Sequence, residues 1–251
     1  MPRQAEYRDS NGRSERVGVR YVEVQGERVP ALGFGTWQLS GQAAVEAVHH
    51  ALELGYRHLD TAQMYRNEAQ VGQALAASGL DRSEVFLTTK LLPRNLEPDR
   101  VHRSTRESLE RLQTDYVDLL LIHWPAFADP MEATLAAMVA LREAGTARHI
   151  GVSNFTPTLL REALDHAPLF SNQVEYHPYL AQPELRQVAV ERELMLTAYS
   201  PLAKGGVVDD ETLTEIGRRH GKTATQVSLR WLIQQDHVAA IPRSADREHR
   251  A

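Results

Sequence analysis

Four side chains of the sequence have the chemical types needed to move a proton onto an oxygen atom: Asp60, Tyr65, Lys90 and His123. A free phenol has a pKa of about 10, and a neighbouring ammonium group lowers that pKa because it stabilises the phenolate. We therefore expect Lys90 to lower the pKa of Tyr65. Asp60 is expected to form an ion pair with Lys90. His123 is expected to orient a carbonyl oxygen, so that the four residues together protonate the alkoxide that develops there.

Each of these residues also has an ordinary structural explanation. Asp60 could cap a helix, and Tyr65 could be a buried aromatic residue with a satisfied hydroxyl group. Lys90 could extend its ammonium group to the surface, and His123 could be a core histidine. For one residue alone the structural explanation is favoured. Their placement at or just after the ends of successive predicted strands favours a catalytic site, because loops converge there in a barrel.

The elements that must position these residues alternate between short apolar runs rich in β-formers and longer segments of helical period. Apolar residues such as Val45, Val48 and Leu52 recur at three- and four-residue intervals, which is typical of one helix face. The sequence therefore predicts an α/β fold, a (β/α)8 TIM barrel, with an open doubly wound sheet as the alternative. The eight predicted strands are residues 32–35, 57–61, 85–90, 117–123, 149–152, 172–175, 196–199 and 238–242.

Turn and cap residues support this order of elements. Residues 21–29, with Gln25-Gly26 at the turn, predict an N-terminal β-hairpin that closes the barrel floor. No Gly-x-Gly-x-x-Gly follows a strand, so a Rossmann nucleotide site has no support, and Gly33 and Gly35 indicate tight packing in the first strand. Helix starts are predicted after Asn67, at Pro98 and after Thr156, and helix ends at Gly55, Gly79, Gly145 and Gly221.

Composition excludes several classes of protein. The 251 residues carry 28 basic and 33 acidic side chains, a net charge of −5, which argues against nucleic acid or an anionic membrane as partner. The absence of cysteine excludes disulfides, thiol nucleophiles and cysteine metal sites. No secretory signal or membrane-spanning run is found, so a cytoplasmic protein is expected. Residues 1–18 are predicted to be a disordered polar extension, and residues 19–251 one barrel domain.

Several motifs in the same order resemble the signatures of the aldo-keto reductase superfamily. They are DTAQMYRNE at 60–68, TTK at 88–90, LIHWP at 121–125 and GVSNF at 151–155. Together with DYVDL at 115–119, they look most like bacterial 2,5-diketo-D-gluconate reductases, which also reduce small reactive carbonyls. The resemblance implies that Asp60, Tyr65, Lys90 and His123 are a catalytic tetrad. Tyr65 would donate the proton while a nicotinamide supplies hydride, and no metal would be required.

The resemblance also implies a set of cofactor-binding residues and favours NADPH. Arg243 and Ser244, within IPRS at 241–244, match an element that binds the adenosine 2′-phosphate, to which a guanidinium can donate two hydrogen bonds. Arg247, His249 and Arg250 are candidates for the adenine contact. The other implied positions are Thr36, Asp60, Ser153, Asn154, Gln173, Tyr199, Ser200 and Leu202.

Trp37 and Trp124 match aromatic positions that, with Tyr65 and His123, flank the substrate in relatives. The resemblance implies small aldehydes, α-dicarbonyls or keto sugars as substrates. His49, His50 and His58 suggest zinc at first sight. Without an HxH or HExxH spacing, they are predicted to be surface histidines instead.

There are two alternatives to this hypothesis, and the sequence departs from the family pattern at its C-terminus. The barrel could bind NADPH as a sensor or structural protein with little turnover, or it could be an aldolase that uses Lys90 as a Schiff base. The chain stops at Ala251, where relatives begin their last barrel helix. We therefore expect a barrel that is truncated before its last helix is complete. A complete barrel is expected to be a monomer, whereas a truncated barrel is expected to be able to associate through its truncated end.

Overall fold

The computed structural model of the chain describes residues 6–8, 14–16, 19–127 and 130–250. Two short strands, β1 (Glu6–Arg8) and β2 (Ser14–Arg16), pair antiparallel. The other residues of the predicted N-terminal extension lie outside the described part, so its disorder and the division at residue 18 stay predictions.

Eight parallel strands follow one another around a single sheet in the order of the sequence. All eight overlap the predicted strands, and no strand end differs from its prediction by more than two residues. Their bounds are β5 (Phe34–Gly35), β6 (His58–Asp60), β7 (Phe86–Leu91), β8 (Val117–Ile122), β9 (Ala147–Ser153), β10 (Ser171–Glu175), β11 (Met195–Tyr199) and β12 (Val238–Ala240).

Backbone hydrogen bonds join the first strand of this sheet to the last. The Gly33 amide donates to Ala240 O at 2.9 Å, and the Ala240 amide donates to Ala31 O at 2.8 Å. The Gly35 amide donates to Pro242 O at 2.9 Å. Because an open doubly wound sheet has two unpaired edges, these bonds exclude it and confirm the (β/α)8 barrel.

Helices connect successive strands and cover the outside of the sheet. They are α1 (Gly41–Glu53), α2 (Glu68–Ala77), α3 (Pro98–Leu112), α4 (Met131–Glu143), α5 (Pro157–His166), α6 (Pro183–Glu191), α7 (Glu211–His220) and α8 (Ala224–Ile233). The last connection contains two helices, α7 and α8. Val48 and Leu52 of α1 are buried in the core between helices and sheet, as the helical period predicts.

Local signals set the helix ends. Thr156 caps α5 by accepting a hydrogen bond from the Leu159 amide, and Gly221 ends α7 with a left-handed φ of 61°. Asn67 precedes α2 as predicted, but its side chain does not cap that helix and bonds elsewhere.

The predicted hairpin is present and closes one end of the barrel. Strands β3 (Tyr21–Val24) and β4 (Glu27–Pro30) pair antiparallel, with Val24 opposite Glu27. Their apolar side chains pack in one buried cluster with residues at the N-terminal ends of barrel strands, among them Phe86, Phe170 and Met195. The floor is therefore sealed, which leaves the C-terminal face for chemistry.

The predicted tight packing in the first strand is confirmed. A Cβ added to Gly33 would come within 2.8 Å of the His58 ring, and one added to Gly35 within 2.8 Å of Ile241 O. These two glycines therefore allow the first strand to approach its neighbours closely.

The prediction of surface histidines is wrong for two of the three residues. His58 is buried; its Nδ1 lies 3.1 Å from Pro30 O, and its ring packs edge-on against Phe86. His50 is also buried, and its Nδ1 accepts a hydrogen bond from Arg250 Nε at 3.1 Å. Burial lowers the pKa of both rings, so neutral histidines serve as packing and hydrogen-bonding groups.

Within the described ranges, no helix has the length and apolar character needed to span a membrane.

Candidate active site

The four candidate catalytic residues lie together at the C-terminal face of the barrel. Asp60 is the last residue of β6, Lys90 is next to last in β7, and His123 directly follows β8. Tyr65 lies on a 3-10 turn, Gln63–Tyr65, that follows β6. Asp60 and Lys90 are almost completely buried, and Tyr65 is half-buried.

Lys90 is the centre of the cluster. Its Nζ donates to Asp60 Oδ1 at 2.5 Å, to Thr61 O at 2.9 Å and to the Tyr65 hydroxyl at 3.4 Å. The predicted ion pair between Asp60 and Lys90 is therefore present, and Tyr65 contacts it through the ammonium group. Three acceptors match the three N–H donors of an ammonium group.

The environment keeps Lys90 charged. Burial acts to lower its pKa, but the Asp60 carboxylate and the Tyr65 oxygen together outweigh burial and raise the pKa above its ordinary value. Lys90 is therefore an ammonium ion at neutral pH. A lysine in this state is a fixed positive charge and a poor nucleophile.

The expectation that Lys90 lowers the pKa of Tyr65 below 10 is wrong for this chain. Burial raises the pKa of the phenol more than Lys90 lowers it, and the Asp60 charge adds to the increase. The ammonium group therefore reduces the effect of burial without reversing it. Tyr65 is fully protonated at neutral pH, which is the state that a proton donor requires.

His123 is neutral at physiological pH. Burial, together with the nearby Lys90 charge, lowers its pKa from 6.5 to about 3. The ring lies edge-on to Tyr65, with 5.6 Å between ring centroids. Its Nδ1 is buried and has no hydrogen-bond partner among the described residues. A neutral imidazole can donate one hydrogen bond, which suits it to orient an oxygen atom rather than to supply a full charge.

A buried glutamine that the sequence analysis missed fixes the turn that carries Tyr65. Gln63 Nε2 donates to Ser104 O and to Ser108 Oγ, at 3.1 and 3.0 Å. Its Oε1 accepts from the Leu92 amide and from Asn95 Nδ2, both at 2.9 Å. Four bonds to two other segments of chain hold this side chain in one position.

The sequence predicts Asn67 only as the residue before a helix start, but its side chain has a wider role in the structure. Its Nδ2 donates to Thr36 O at 2.8 Å and to Leu39 O at 3.0 Å, and its Oδ1 accepts from Thr61 Oγ1 at 2.8 Å. The side chain therefore joins the loop after β5 to the loop after β6. Two candidate site residues, Trp37 and Tyr65, lie on these loops.

Four of the implied nicotinamide-binding residues form one hydrogen-bonded chain next to the catalytic cluster. Ser153 Oγ donates to Gln173 O at 2.8 Å, and Gln173 Nε2 donates to Asp60 Oδ2 at 2.8 Å. The Tyr199 hydroxyl donates to Asn154 Oδ1 at 2.9 Å. Asn154 Nδ2 donates in turn to the Ser153 hydroxyl and to the backbone oxygen of His123. The structure therefore brings the ends of β9, β10 and β11 together with the candidate catalytic residues.

Thr36 and the turn after β11 frame this chain of residues. Thr36 is fully buried, and its amide and hydroxyl both donate to Asp60 O. Ser200 has a left-handed φ of 47°, and the amides of Ala203 and Gly205 fold back onto Ser200 O and Leu202 O. The turn at 200–205 is therefore tight, and the half-buried Ser200 and Leu202 lie at its start.

Arg243, Ser244 and Arg247 lie apart from this group, on the segment after β12. The Arg243 guanidinium donates to Gln38 Oε1 at 2.5 Å, and the Ser244 hydroxyl accepts from the Asp246 amide at 3.0 Å. Arg243 and Arg247 are exposed. Arg250 is buried and donates to His50 and to the backbone oxygens of 244 and 245, so it anchors this segment rather than facing a ligand.

Large apolar side chains surround the site at the C-terminal face. Trp37 follows β5 with 49% of its surface exposed, and Trp124 follows His123 with 45% exposed. Met64, beside Tyr65, is exposed to a similar degree and was not predicted. Exposed aromatic and thioether groups near buried polar residues are typical of a ligand pocket.

Fold and site together define a (β/α)8-barrel protein with a buried polar cluster at its C-terminal face, and comparison with known proteins gives the family. The model of the aldo/keto reductase family matches residues 31–250. The chain therefore belongs to the aldo/keto reductase family, and it is an oxidoreductase.

Individual relatives agree with this assignment. Methylglyoxal reductase DkgB of Salmonella typhi is 41% identical over 230 residues, which cover 89% of this chain and 85% of that protein. An aldo-keto reductase of Mycobacterium avium (strain 104) is 44% identical over 229 residues, 88% of this chain and 78% of that protein. The reductase names of these relatives give no support to a non-catalytic sensor.

Solved structures show the same fold. The crystal structure of a candidate 2,5-diketo-D-gluconic acid reductase B has a TM-score of 0.91 and 47% identity, covering 93% of this chain and 84% of that one. The aldose reductase of Schistosoma japonicum has a TM-score of 0.87 and 33% identity, covering 92% of this chain and 84% of that one.

Proposed function

We propose that this chain reduces small reactive carbonyl compounds, namely aldehydes, α-dicarbonyls or keto sugars, with NADPH and with Tyr65 as the proton donor. The observation that carries the proposal is the position of the Lys90 ammonium, 2.5 Å from Asp60 Oδ1 and 3.4 Å from the Tyr65 hydroxyl. The names of the Salmonella relative and of the diketogluconic acid reductase structure support this substrate class.

The chemistry needs a proton donor and a means to accommodate the charge that forms on it. Tyr65 is protonated at neutral pH and gives its proton to the carbonyl oxygen as negative charge develops there. The phenolate that results lies beside the fixed positive charge of Lys90, which stabilises it. Asp60 keeps Lys90 charged and in position, and so acts through Lys90.

His123 orients the substrate in this mechanism. A neutral imidazole donates a single hydrogen bond to the carbonyl oxygen and adds no cation near Lys90. The edge-on contact of its ring with Tyr65 brings the two groups to the same oxygen. Trp37 and Trp124 border the pocket and favour small substrates with apolar parts.

The residues at the ends of β9, β10 and β11 fit a nicotinamide. Ser153, Asn154 and Gln173 offer both N–H donors and oxygen acceptors, which is the set that a carboxamide requires. Tyr199 presents a half-buried aromatic ring beside them. When bound, the nicotinamide supplies hydride to the carbonyl carbon. Thr36, Ser200 and Leu202 complete the proposed cofactor-binding set.

Selectivity for NADPH is assigned to the segment after β12. Arg243 is exposed, and its guanidinium can exchange Gln38 for a phosphate without leaving a buried charge unpaired. Ser244 adds a hydroxyl group, and Arg247 is an exposed cation on the same segment.

Three measurements on the purified chain test the proposal. Titration with NADPH should quench tryptophan fluorescence, and addition of methylglyoxal or 2,5-diketo-gluconate should then consume NADPH. Binding of NADPH without its consumption by either compound would contradict the proposal. Borohydride trapping with substrate should leave the chain unlabelled, because Lys90 is held as an ammonium ion.

A further inference from the structure

A pocket on the outer side of the barrel rim contains groups that the reductase mechanism does not use. It has a volume of about 250 Å³ and lies between α3 and the short 3-10 turn Pro93–Asn95 that follows β7. Its lining consists of Arg94, Asn95, Arg100, Arg103, Ser104 and Glu107. Liquid water occupies about 30 Å³ per molecule, so the pocket has room for a small oxyanion with its remaining hydration.

The charges of this rim pocket are strongly unbalanced. Three arginines face a single glutamate, in a chain whose net charge is −5. Arg100 pairs with Glu97, which lies outside the lining, whereas Arg94 and Arg103 have no carboxylate partner within the part of the chain that the structure describes. Arg100 and Arg103 are three residues apart on one helix, a spacing at which like charges repel. A bound anion would relieve that repulsion.

A buried hydroxyl group in the wall of the pocket lacks a partner. Ser104 is only 5% exposed, and its Oγ is buried without a hydrogen-bond partner among the described residues. An unsatisfied buried hydroxyl group is unfavourable, so such groups are uncommon unless a ligand or water satisfies them. A serine hydroxyl can donate to an oxyanion, whereas a bound cation would be repelled by the arginines.

We propose that the rim pocket binds a phosphate group. Guanidinium groups donate paired hydrogen bonds that match the oxygens of phosphate, and Asn95 and Ser104 add neutral donors beside them. This site is separate from the proposed 2′-phosphate contact: the rim pocket follows the third barrel strand, whereas Arg243 follows the eighth.

The pocket shares a wall with the turn that carries Tyr65. Asn95 Nδ2 donates to Gln63 Oε1, and Gln63 Nε2 donates to Ser104 O. Two of the six lining residues therefore contact the side chain that fixes this turn. A phosphate in the pocket lies on the outer side of the turn that carries Tyr65, with the Gln63 side chain between them.

Calorimetric titration of the 251-residue chain, without NADPH, tests the proposal. Inorganic phosphate and glycerol phosphate are titrated separately at constant ionic strength, with chloride as the reference salt. We expect saturable binding, weakened about tenfold by Arg103→Gln through loss of a charge-assisted hydrogen bond. We expect Glu107→Gln to strengthen binding about two- to fivefold, because it removes the only carboxylate in the lining.

Two further variants serve as controls. Arg106→Gln removes an exposed arginine of α3 that does not line the pocket, and Arg243→Gln removes the proposed cofactor contact. Arg106→Gln should leave phosphate affinity unchanged, and Arg243→Gln should leave in place the binding that Arg103→Gln weakens, because it removes phosphate binding at the proposed 2′-phosphate contact alone. Tighter binding of glycerol phosphate than of phosphate would identify a phosphate ester as the source of the group, and the reverse would identify the free ion. No saturable binding of either compound, or binding that Arg243→Gln abolishes and Arg103→Gln leaves intact, would overturn the proposal.

Discussion

Replacement of Lys90 by methionine tests the electrostatics of the site at its most buried point. The substitution removes the ammonium group from Asp60 Oδ1, Thr61 O and the Tyr65 hydroxyl. Asp60 then keeps Gln173 Nε2, at 2.8 Å, as its one described side-chain donor. Because a buried charge left without its partner is strongly unfavourable, Lys90→Met should lower the free energy of unfolding by about 3–5 kcal/mol.

Urea unfolding followed by tryptophan fluorescence measures this loss, and a second variant isolates its cause. Asp60→Asn combined with Lys90→Met removes both charges, so no ion remains uncompensated. The double variant should recover about 1–3 kcal/mol relative to Lys90→Met alone. Lys204→Met is the surface control. Lys204 lies 4.0 Å from Glu175 and is largely exposed, so the change there should stay below about 1 kcal/mol.

The double variant gives the decisive result for this prediction. If it is less stable than Lys90→Met by the full cost of Asp60→Asn alone, the two charges do not interact as their 2.5 Å separation implies. The ion pair would then have no part in holding the site together.

Three more predictions concern other parts of the site. The pKa of His123 lies at about 3 in the folded chain and at 6.5 when unfolded. Since the unfolded state binds the extra proton, the free energy of unfolding falls as pH drops from 6.5 towards 3. The fall amounts to about 2 kcal/mol between pH 8 and pH 5. In urea unfolding, His123→Gln should abolish this part of the loss. Arg243→Ala should weaken NADPH by about tenfold or more and NADH little, in fluorescence titrations, because only NADPH carries the phosphate. Gln63→Leu should lower kcat while leaving NADPH affinity nearly unchanged, because four bonds that fix the Tyr65 turn are lost.

Each of these three predictions would be contradicted by a specific result. An acid-stability slope that is the same with and without His123 would show that this ring is not held neutral. Equal loss of affinity for NADPH and NADH would show that Arg243 does not contact the 2′-phosphate. Unchanged kcat in Gln63→Leu would show that the turn keeps its shape without these bonds.

The strands and the clustering of the four candidate catalytic residues were predictable because they depend on short-range patterns. Each barrel strand is a short apolar run between turn residues, and all eight were located from that pattern. Lys90 and His123 were identified because each stands at or just after the end of such a run. The hairpin at the floor followed from the Gln25-Gly26 turn between two β-rich segments.

Quantities that depend on burial were not predictable in the same way. A charged neighbour of Tyr65 was visible in the sequence, but the extent of its desolvation was not, and desolvation decides the direction of its pKa shift. His50 and His58 were expected at the surface for the same reason. The residues next to these histidines in the sequence do not indicate that His50 contacts Arg250 or that His58 contacts Pro30, because both partners are distant along the chain.

The roles of Gln63 and Asn67 depend on partners far along the chain. Gln63 bonds to Ser108, 45 residues away, and Asn67 bonds to Thr36, 31 residues away. Both lie within the motif at 60–68, so their presence there was the only available signal. Their geometry depends on the packing of α3 and of the loop after β5, which follows from the closed barrel rather than from local sequence.

Tyr65 gives the proton in the proposed carbonyl reduction, and Tyr65→Phe removes this proton donor from the site. Stopped-flow measurement of NADPH consumption with methylglyoxal gives the rate of turnover, and fluorescence titration gives the affinity for NADPH. We expect a loss in kcat of about 10²- to 10⁴-fold, typical of a missing general acid, with NADPH affinity nearly unchanged. Turnover close to that of the unsubstituted chain would contradict it.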